Sequence, residues 1–403
     1  MNATTSSPKG LAPEIVVMLA GIVAALHIGK LPPAIPVLQA ELGVSLVQAG
    51  FLLSLVQLAG MIGGALIGVL ADSAGLRRSI LTGLAILTLS SVLGGFAGSA
   101  TELLLLRGLE GFGFLLVTLS GPGLIRQLVV PEKLSLRLGW WGCYMGFGTG
   151  TGLLIGPWLM QQLGWQGWWW LIAAVTLLML GWVVVSVPGD RADENPRSGS
   201  PLSGLRALLG RLKLTLSSPG PWLVALIFAT YSGQWLSVIG FLPSIYTQAG
   251  LEGTLVGVLT SIAAAANVVG NVASGRLLHA GVGARQLLYI GFAVMTLTTW
   301  TAFSSITADL PWLRYAAVLV FSSVSGVIPG VLFSLAVRLA PDSSVVSTSV
   351  GWMLQLSALG QFVAPPVIGA LAAWAGGWQL TWLATGCLSL VGVLLVTRVA
   401  RLL

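Results

Sequence analysis

Two pairs of ionisable residues interrupt apolar segments of the chain. His27 and Lys30 stand three residues apart in "AALHIGKLPPAIP", and Arg107 and Glu110 stand three apart in "LLLLRGLEGFGFLL". That spacing puts each pair on one face of a helix. Charge at bilayer depth costs about 2.5–3.5 kcal/mol even on a lenient insertion scale, so these residues need a reason to be there. An imidazole changes charge near neutrality and a carboxylate exchanges protons, so His27 and Glu110 offer a proton relay, while Lys30 and Arg107 offer recognition of an anion. Plainer readings compete. Arg107 and Glu110 can neutralise each other one turn apart, Lys30 can snorkel to the outer surface, and His27 can hydrogen-bond to a neighbouring helix. Glu110 is the only carboxylate that the sequence places deep in any helix.

The rest of the chain says what must position these groups. It has 403 residues, 56% of them hydrophobic and only 8% charged, against about 25% charged in a soluble protein. Lipid is therefore its solvent. At roughly 20 apolar residues per span, the length suits about twelve helices, read at 14–39, 46–71, 79–99, 103–126, 137–161, 168–187, 222–246, 254–278, 286–305, 311–337, 346–373 and 379–400. The first apolar run is too long for a cleaved signal peptide. Of the 19 Lys and Arg residues, all but Lys30, Arg107 and Arg314 fall in loops of one side or in the termini when the chain starts in the cytoplasm. The positive-inside rule then puts both termini in the cytoplasm. The same scatter argues against nucleic acid as the partner of the +7 net charge. No nucleotide loop, metal-ligand cluster or nucleophile–base pair is legible, so neither an enzyme nor a cofactor is expected.

The polar stretch "PGDRADENPRSGSPLSGLRALLGRLK" divides the chain into a first half (1–187), a linker (188–221) and a second half (222–403), and its basic end suits the inner leaflet. The halves repeat each other at an offset of about 207 residues. Pro36 falls on Pro243, Gly43 on Gly250, Arg107 on Arg314 and Pro122-Gly123 on Pro329-Gly330, and after a drift "GWQGWWW" answers "GWQLTWL". The fold class expected is an all-α membrane protein of twelve helices in two six-helix pseudo-symmetric halves, with a site between them near mid-membrane. His27 then falls on Gln234 and Lys30 on Ser237, so the first helix of each half is polar at one depth. Tyr144, Tyr231, Trp235, Asn267, Trp352 and Gln355 sit on helices from which they can orient a solute.

With that layout, "GVLADSAGLRRS" resembles motif A of the major facilitator superfamily, through Gly68, Asp72, Gly75, Arg77 and Arg78, although Ser73 and Leu76 depart from it. "LLLLRGLEGFGFLL" resembles motif B, with Glu110 where Gln is common, and "GFGTGTGLLIGPW" partly resembles motif C of drug:proton antiporters. The resemblance implies a transporter working by alternating access, with the motif A loop latching the halves on the cytoplasmic side. It also implies that the first helix of each half, and helices 4 and 10, line a central cavity, and that a monomer is the default. The expectation is proton-linked movement of a small organic anion across a bacterial inner membrane. Lys30, Arg107 and Arg314 would give the cavity its positive potential, and His27 or Glu110 would carry the coupling proton. A proton-coupled exporter of drugs or metabolites is the alternative.

Overall fold

The computed structural model describes residues 11–63, 75–190, 201–342 and 345–402, and these are helical apart from short turns. Among the described residues, eleven segments are long and apolar enough to cross a membrane: Pro13–Leu42 (α1), Leu46–Gly63 (α2), Leu76–Gly94 (α3), Ala100–Leu128 (α4), Tyr144–Ser186, Pro219–Gln248 (α7), Gly253–His279 (α8), Ala284–Phe303 (α9), Pro311–Arg338 (α10), Val346–Ala375 (α11) and Trp378–Val399 (α12). Tyr144–Ser186 is two spans. Its 43 residues break at Gly164, whose φ of 70° and ψ of 171° are non-helical, a backbone that residues with a Cβ rarely adopt. The parts 144–163 and 165–186 are α5 and α6. Twelve spans return the chain to the face where it began, here the terminal face; the opposite one is the far face.

Local chemistry sets most boundaries. Ser45 and Gln48 form a reciprocal capping box at the start of α2. Ser99 accepts from the Glu102 backbone N–H at 3.3 Å, and the Glu102 carboxylate accepts from Gly98 N–H at 2.8 Å, so Glu102 caps the start of α4. The third helix, read at 79–99, lies three to five residues earlier, because the chain turns at Gly95 and Ser99 already caps α4. The fifth, read as continuous from 137, is preceded by a separate helix at Pro131–Trp141, with a turn at Gly142 and Cys143 before α5 begins.

The repeat in sequence is a repeat in bonding. Trp165 Nε1–H donates to Glu41 Oε2 at 2.8 Å, and Trp378 Nε1–H donates to Gln248 Oε1 at 2.7 Å, each indole tying the start of α6 or α12 to the far end of α1 or α7. Gly43 and Gly250 follow α1 and α7 with φ of 63° and 83°. Glycines in α5 let α1 come close. A Cβ at Gly152 would stand 2.6 Å from the Gly29 carbonyl carbon and one at Gly156 would stand 2.9 Å from Pro33, the small-residue packing that membrane helices favour.

Between the halves, close glycine contacts gather toward the far face. A Cβ on Gly50 of α2 would lie 2.6 Å from the Pro366 backbone of α11, one on Gly257 of α8 would lie 2.8 Å from Leu154 O of α5, and Gly369 sits directly on the Leu46 carbonyl. The far face is thus sealed.

Candidate functional site

The two ionisable pairs meet. The helical run of α1 stops at Gly29, ahead of Pro32 and Pro33, and prolines supply no N–H to complete the last turn. Where the helical run ends, the His27 and Lys30 carbonyls take side-chain donors. Arg107 Nη1 donates to His27 O at 2.5 Å and Trp168 Nε1–H donates to Lys30 O at 3.1 Å. Arg107 also donates through Nε to Leu52 O of α2 at 2.9 Å, which fixes the guanidinium between three helices.

Glu110 receives two cations, Arg107 Nη1 on Oε2 at 2.7 Å and Lys30 Nζ in close contact on Oε1. Lys30 Nζ has two further acceptors, Ser91 Oγ of α3 at 2.9 Å and His27 Nδ1 at 3.4 Å. Ser91 is available as an acceptor because its own hydrogen goes to Trp169 O at 3.0 Å. The ammonium also lies 4.9 Å from the centroid of the Trp169 ring, within cation–π range. His27 Nε2 lies 2.9 Å from Thr176 Oγ1, whose hydrogen is given to Ile172 O at 2.7 Å. Thr176 therefore accepts and Nε2 carries a proton; Nδ1 stands 3.4 Å from both Lys30 Nζ and Glu110 Oε1, and in the neutral ring its lone pair faces Lys30. His27 and Lys30 are wholly buried, Glu110 is 2% and Arg107 3% exposed.

This geometry overturns one expectation and merges two others. Lys30 does not snorkel. The local Arg107–Glu110 pair forms, but as half of a four-residue network packed inside the first half, behind α1, and not open to the space between the halves. The void beside it, lined by Arg107, Glu110, Trp169 and leucines, measures ≈ 10 Å³, about one water.

The second half holds a neutral counterpart. Ser389 Oγ donates to Gln234 Oε1 at 2.9 Å, matching His27 on Thr176, and Thr385 Oγ1 meets Thr299 Oγ1 at 3.0 Å. Gln234 thus faces α12 and the interior of its own half. Arg314 is not the partner of Arg107 that the repeat suggests. It sits half-buried at the far rim, donating to Ser304 O at 2.5 Å and to Thr307 Oγ1 at 3.3 Å, because its register falls beside the α9–α10 connection.

The other candidates scatter over the second half and the α2–α11 seam. Asn267 Nδ2 donates to Tyr231 OH and to Ser322 O, both at 3.0 Å, and Trp235 Nε1–H donates to Ser322 Oγ at 3.2 Å, so these three form one polar cluster. Gln355 donates to Met61 O across the seam at 2.8 Å. Trp352 packs edge-on against Trp222 with centroids 4.8 Å apart, and its Nε1 has no hydrogen-bond partner among the described residues. Tyr144 stacks at a tilt on Trp141, 4.8 Å between centroids.

Gly68 and Asp72 of the motif A stretch lie outside the described residues. The rest of it joins its own half. Asp190, beyond the end of α6, accepts the backbone N–H groups of Arg77 at 2.8 Å and Arg78 at 3.1 Å, which caps α3 and sets a carboxylate at its positive end. Arg77 Nη2 donates to Val184 O at 2.8 Å. Asp190→Ala should cost about 1 kcal/mol of local stability. Hydrogen exchange over the first turn of α3 should rise several-fold while that of α9 stays fixed; equal protection in both proteins would remove Asp190 as the cap.

Sequence reading missed Ser91, Trp169, Thr176 and Asp190. Thr176 was within reach, since Thr176 and Ser389 share the offset of the "GWQ" repeat. Asp190 lies 113 residues from Arg77, and no local pattern links them.

The family model described as "Major Facilitator Superfamily" matches residues 17–358. The chain belongs to the major facilitator superfamily. It is a multi-pass membrane transporter and not an enzyme. Among curated relatives, the tetracenomycin C resistance and export protein of Streptomyces glaucescens is 30% identical over 177 residues, 44% of this chain and 33% of that protein. The match therefore spans a third of that relative's length. The cyanate transport protein CynX of Escherichia coli (strain K12) is 24% identical over 396 residues, 95% of each chain. Among solved structures, a bacterial homolog of the human lysosomal transporter Spinster, in an inward-facing and occupied conformation, superposes with a TM-score of 0.83 at 14% identity over 98% of both chains. This superfamily member thus shares that fold, and the charged residues buried among those described, Lys30, Arg107 and Glu110, all lie in its first half.

Proposed function

We propose that this transporter moves a small organic anion across the bacterial inner membrane by alternating access, coupled to protons, with both termini and the 188–221 linker in the cytoplasm. The observation that carries the reading is the buried network of Lys30, Arg107 and Glu110. Two cations share one carboxylate, which leaves one positive charge unbalanced beside His27 in a dry interior. Such a charge is stabilised by an anion arriving between the halves. Cyanate, named for the relative that matches at full length, is a small anion. In this reading the far face is the periplasmic side, closed here by the glycine contacts. The cluster of Tyr231, Trp235 and Asn267, together with the indole of Trp352, would orient the solute from the second half.

The test is transport by the purified protein in proteoliposomes. Labelled cyanate, lactate and succinate are offered with the acidic side outside, and at least one should accumulate more than in vesicles without a gradient. If none moves and no proton flux accompanies them, the reading is wrong. A second reading, export by proton antiport, is favoured by the glycine face of α5, which resembles motif C, and by the name of the Streptomyces relative. Accumulation under the reversed gradient would select it.

A further inference from the structure

The network has few ways of shedding its surplus charge, and this singles out one residue. Even with His27 neutral, Lys30 and Arg107 carry two positive charges against the one negative charge of Glu110. Isolated charge in a low-dielectric interior is costly, and a buried group neutralises where it can. Protonating Glu110 or His27 would raise the surplus. Arg107 keeps its proton under all conditions a protein survives. Only loss of a proton from Lys30, or arrival of an anion, makes the network neutral.

We propose that Lys30, not His27 or Glu110, carries the coupling proton of this transporter. This rests on the anion-transport reading above and deepens it. Without an anion, Lys30–NH3+ releases one proton to the aqueous side then open, and Lys30 remains as the neutral amine. When a monoanion binds, Lys30 takes one proton back. One proton and one negative charge therefore travel together.

The groups around Lys30 fit this role. From α1 it meets His27 Nδ1, from α4 Glu110 with Arg107 behind it, from α3 Ser91 Oγ, and from α6 the Trp169 ring. The three hydrogens of the ammonium have three acceptors, so the protonated form is satisfied. The neutral form leaves Glu110 with Arg107 as an isolated ion pair. The anion need not enter the network, whose void admits about one water. At about 10 Å, in a medium of effective dielectric ~20, a monoanion changes the proton affinity of Lys30 roughly tenfold. The neutral Gln234–Ser389 pair in the second half supplies no comparable group, so the coupling belongs to the first half alone.

Trp169 reports on the ammonium above it. Its emission, taken as the difference between the protein and its Trp169→Phe variant, is followed through a pH titration in detergent. A one-proton transition is expected in the native protein and in His27→Gln, a change that copies the residue of the second half. It should be absent from both Lys30→Arg, whose charge is fixed, and Lys30→Met, which has none. Saturating cyanate, lactate or succinate, whichever is transported, should move the transition to higher pH, roughly tenfold in proton affinity. A transition that survives in both Lys30 variants, or vanishes in His27→Gln, overturns the proposal. So does a Lys30 transition that none of the three anions moves. Absence of anion flux in proteoliposomes would reject the transport reading instead, and the two failures are separate measurements.

Discussion

Glu110→Ala should be the most damaging single substitution in the first half. It removes the only negative charge, among the described residues, within reach of two buried cations, Lys30 and Arg107, and breaking a buried pair from one side costs about 3–5 kcal/mol. The loss lands on the contact between α1 and α4, so transport should disappear together with stability. Lys30→Met should cost less, because Arg107 and Glu110 remain paired at 2.7 Å. Combining Lys30→Met with Glu110→Gln should then be milder than the sum of the single changes, since residues of one network couple by about 0.5–3 kcal/mol. Chemical unfolding of the parent, Lys30→Met, Glu110→Gln and their combination in detergent completes the cycle, with Glu110→Ala measured beside them. A Glu110→Ala protein within about 1 kcal/mol of the parent would mean that the two cations are not confined as described.

Gly50→Ala should shift which face of the transporter is open. In the present conformation its new methyl would stand 2.6 Å from the Pro366 backbone, and neither backbone can retreat without parting α2 from α11. Overpacking of this kind costs about 1–3 kcal/mol, a factor of about 5–150 in a two-state equilibrium. The penalty applies only where the far face is sealed, so molecules should redistribute toward the conformation open there. The exposed Asn271 of α8 gives a place to read this. With Cys143 and Cys387 replaced, labelling of Asn271→Cys by a polar maleimide should fall in the Gly50→Ala background, and transport should slow. Unchanged labelling in a protein of normal stability would show that Gly50 is not part of the seal.

Much of this architecture was legible from residue types alone, because lipid imposes simple rules. Charge depletion announced the membrane, loop arginines suggested an orientation, and the 207-residue offset foretold two halves that bond alike at Trp165–Glu41 and Trp378–Gln248. Spacing of three also put His27 with Lys30 and Arg107 with Glu110. Which way those faces turn was not legible. The uniformly apolar helices carry almost no amphipathic signal, so a polar side chain can face the neighbouring helix of its own half as easily as the space between halves. The end of the helical run at Gly29 decides it in part, by leaving the His27 and Lys30 carbonyls to recruit Arg107 and Trp168 to α1. Symmetry also misled at Arg314. A matching position in sequence does not bring matching partners: at the far rim Arg314 bonds to Ser304 and Thr307.

The two tryptophan bonds at the far face have a mechanical meaning. Each fastens a helix that borders the space between the halves, α1 or α7, to the peripheral helix of the same half, α6 or α12. Bracketed in this way, the first helix of a half cannot swing alone and must carry its neighbours with it. Motion is then that of two stiff jaws, and compliance is concentrated in the glycine contacts along α2–α11 and α5–α8, where backbone lies on backbone with no side chain to unlock.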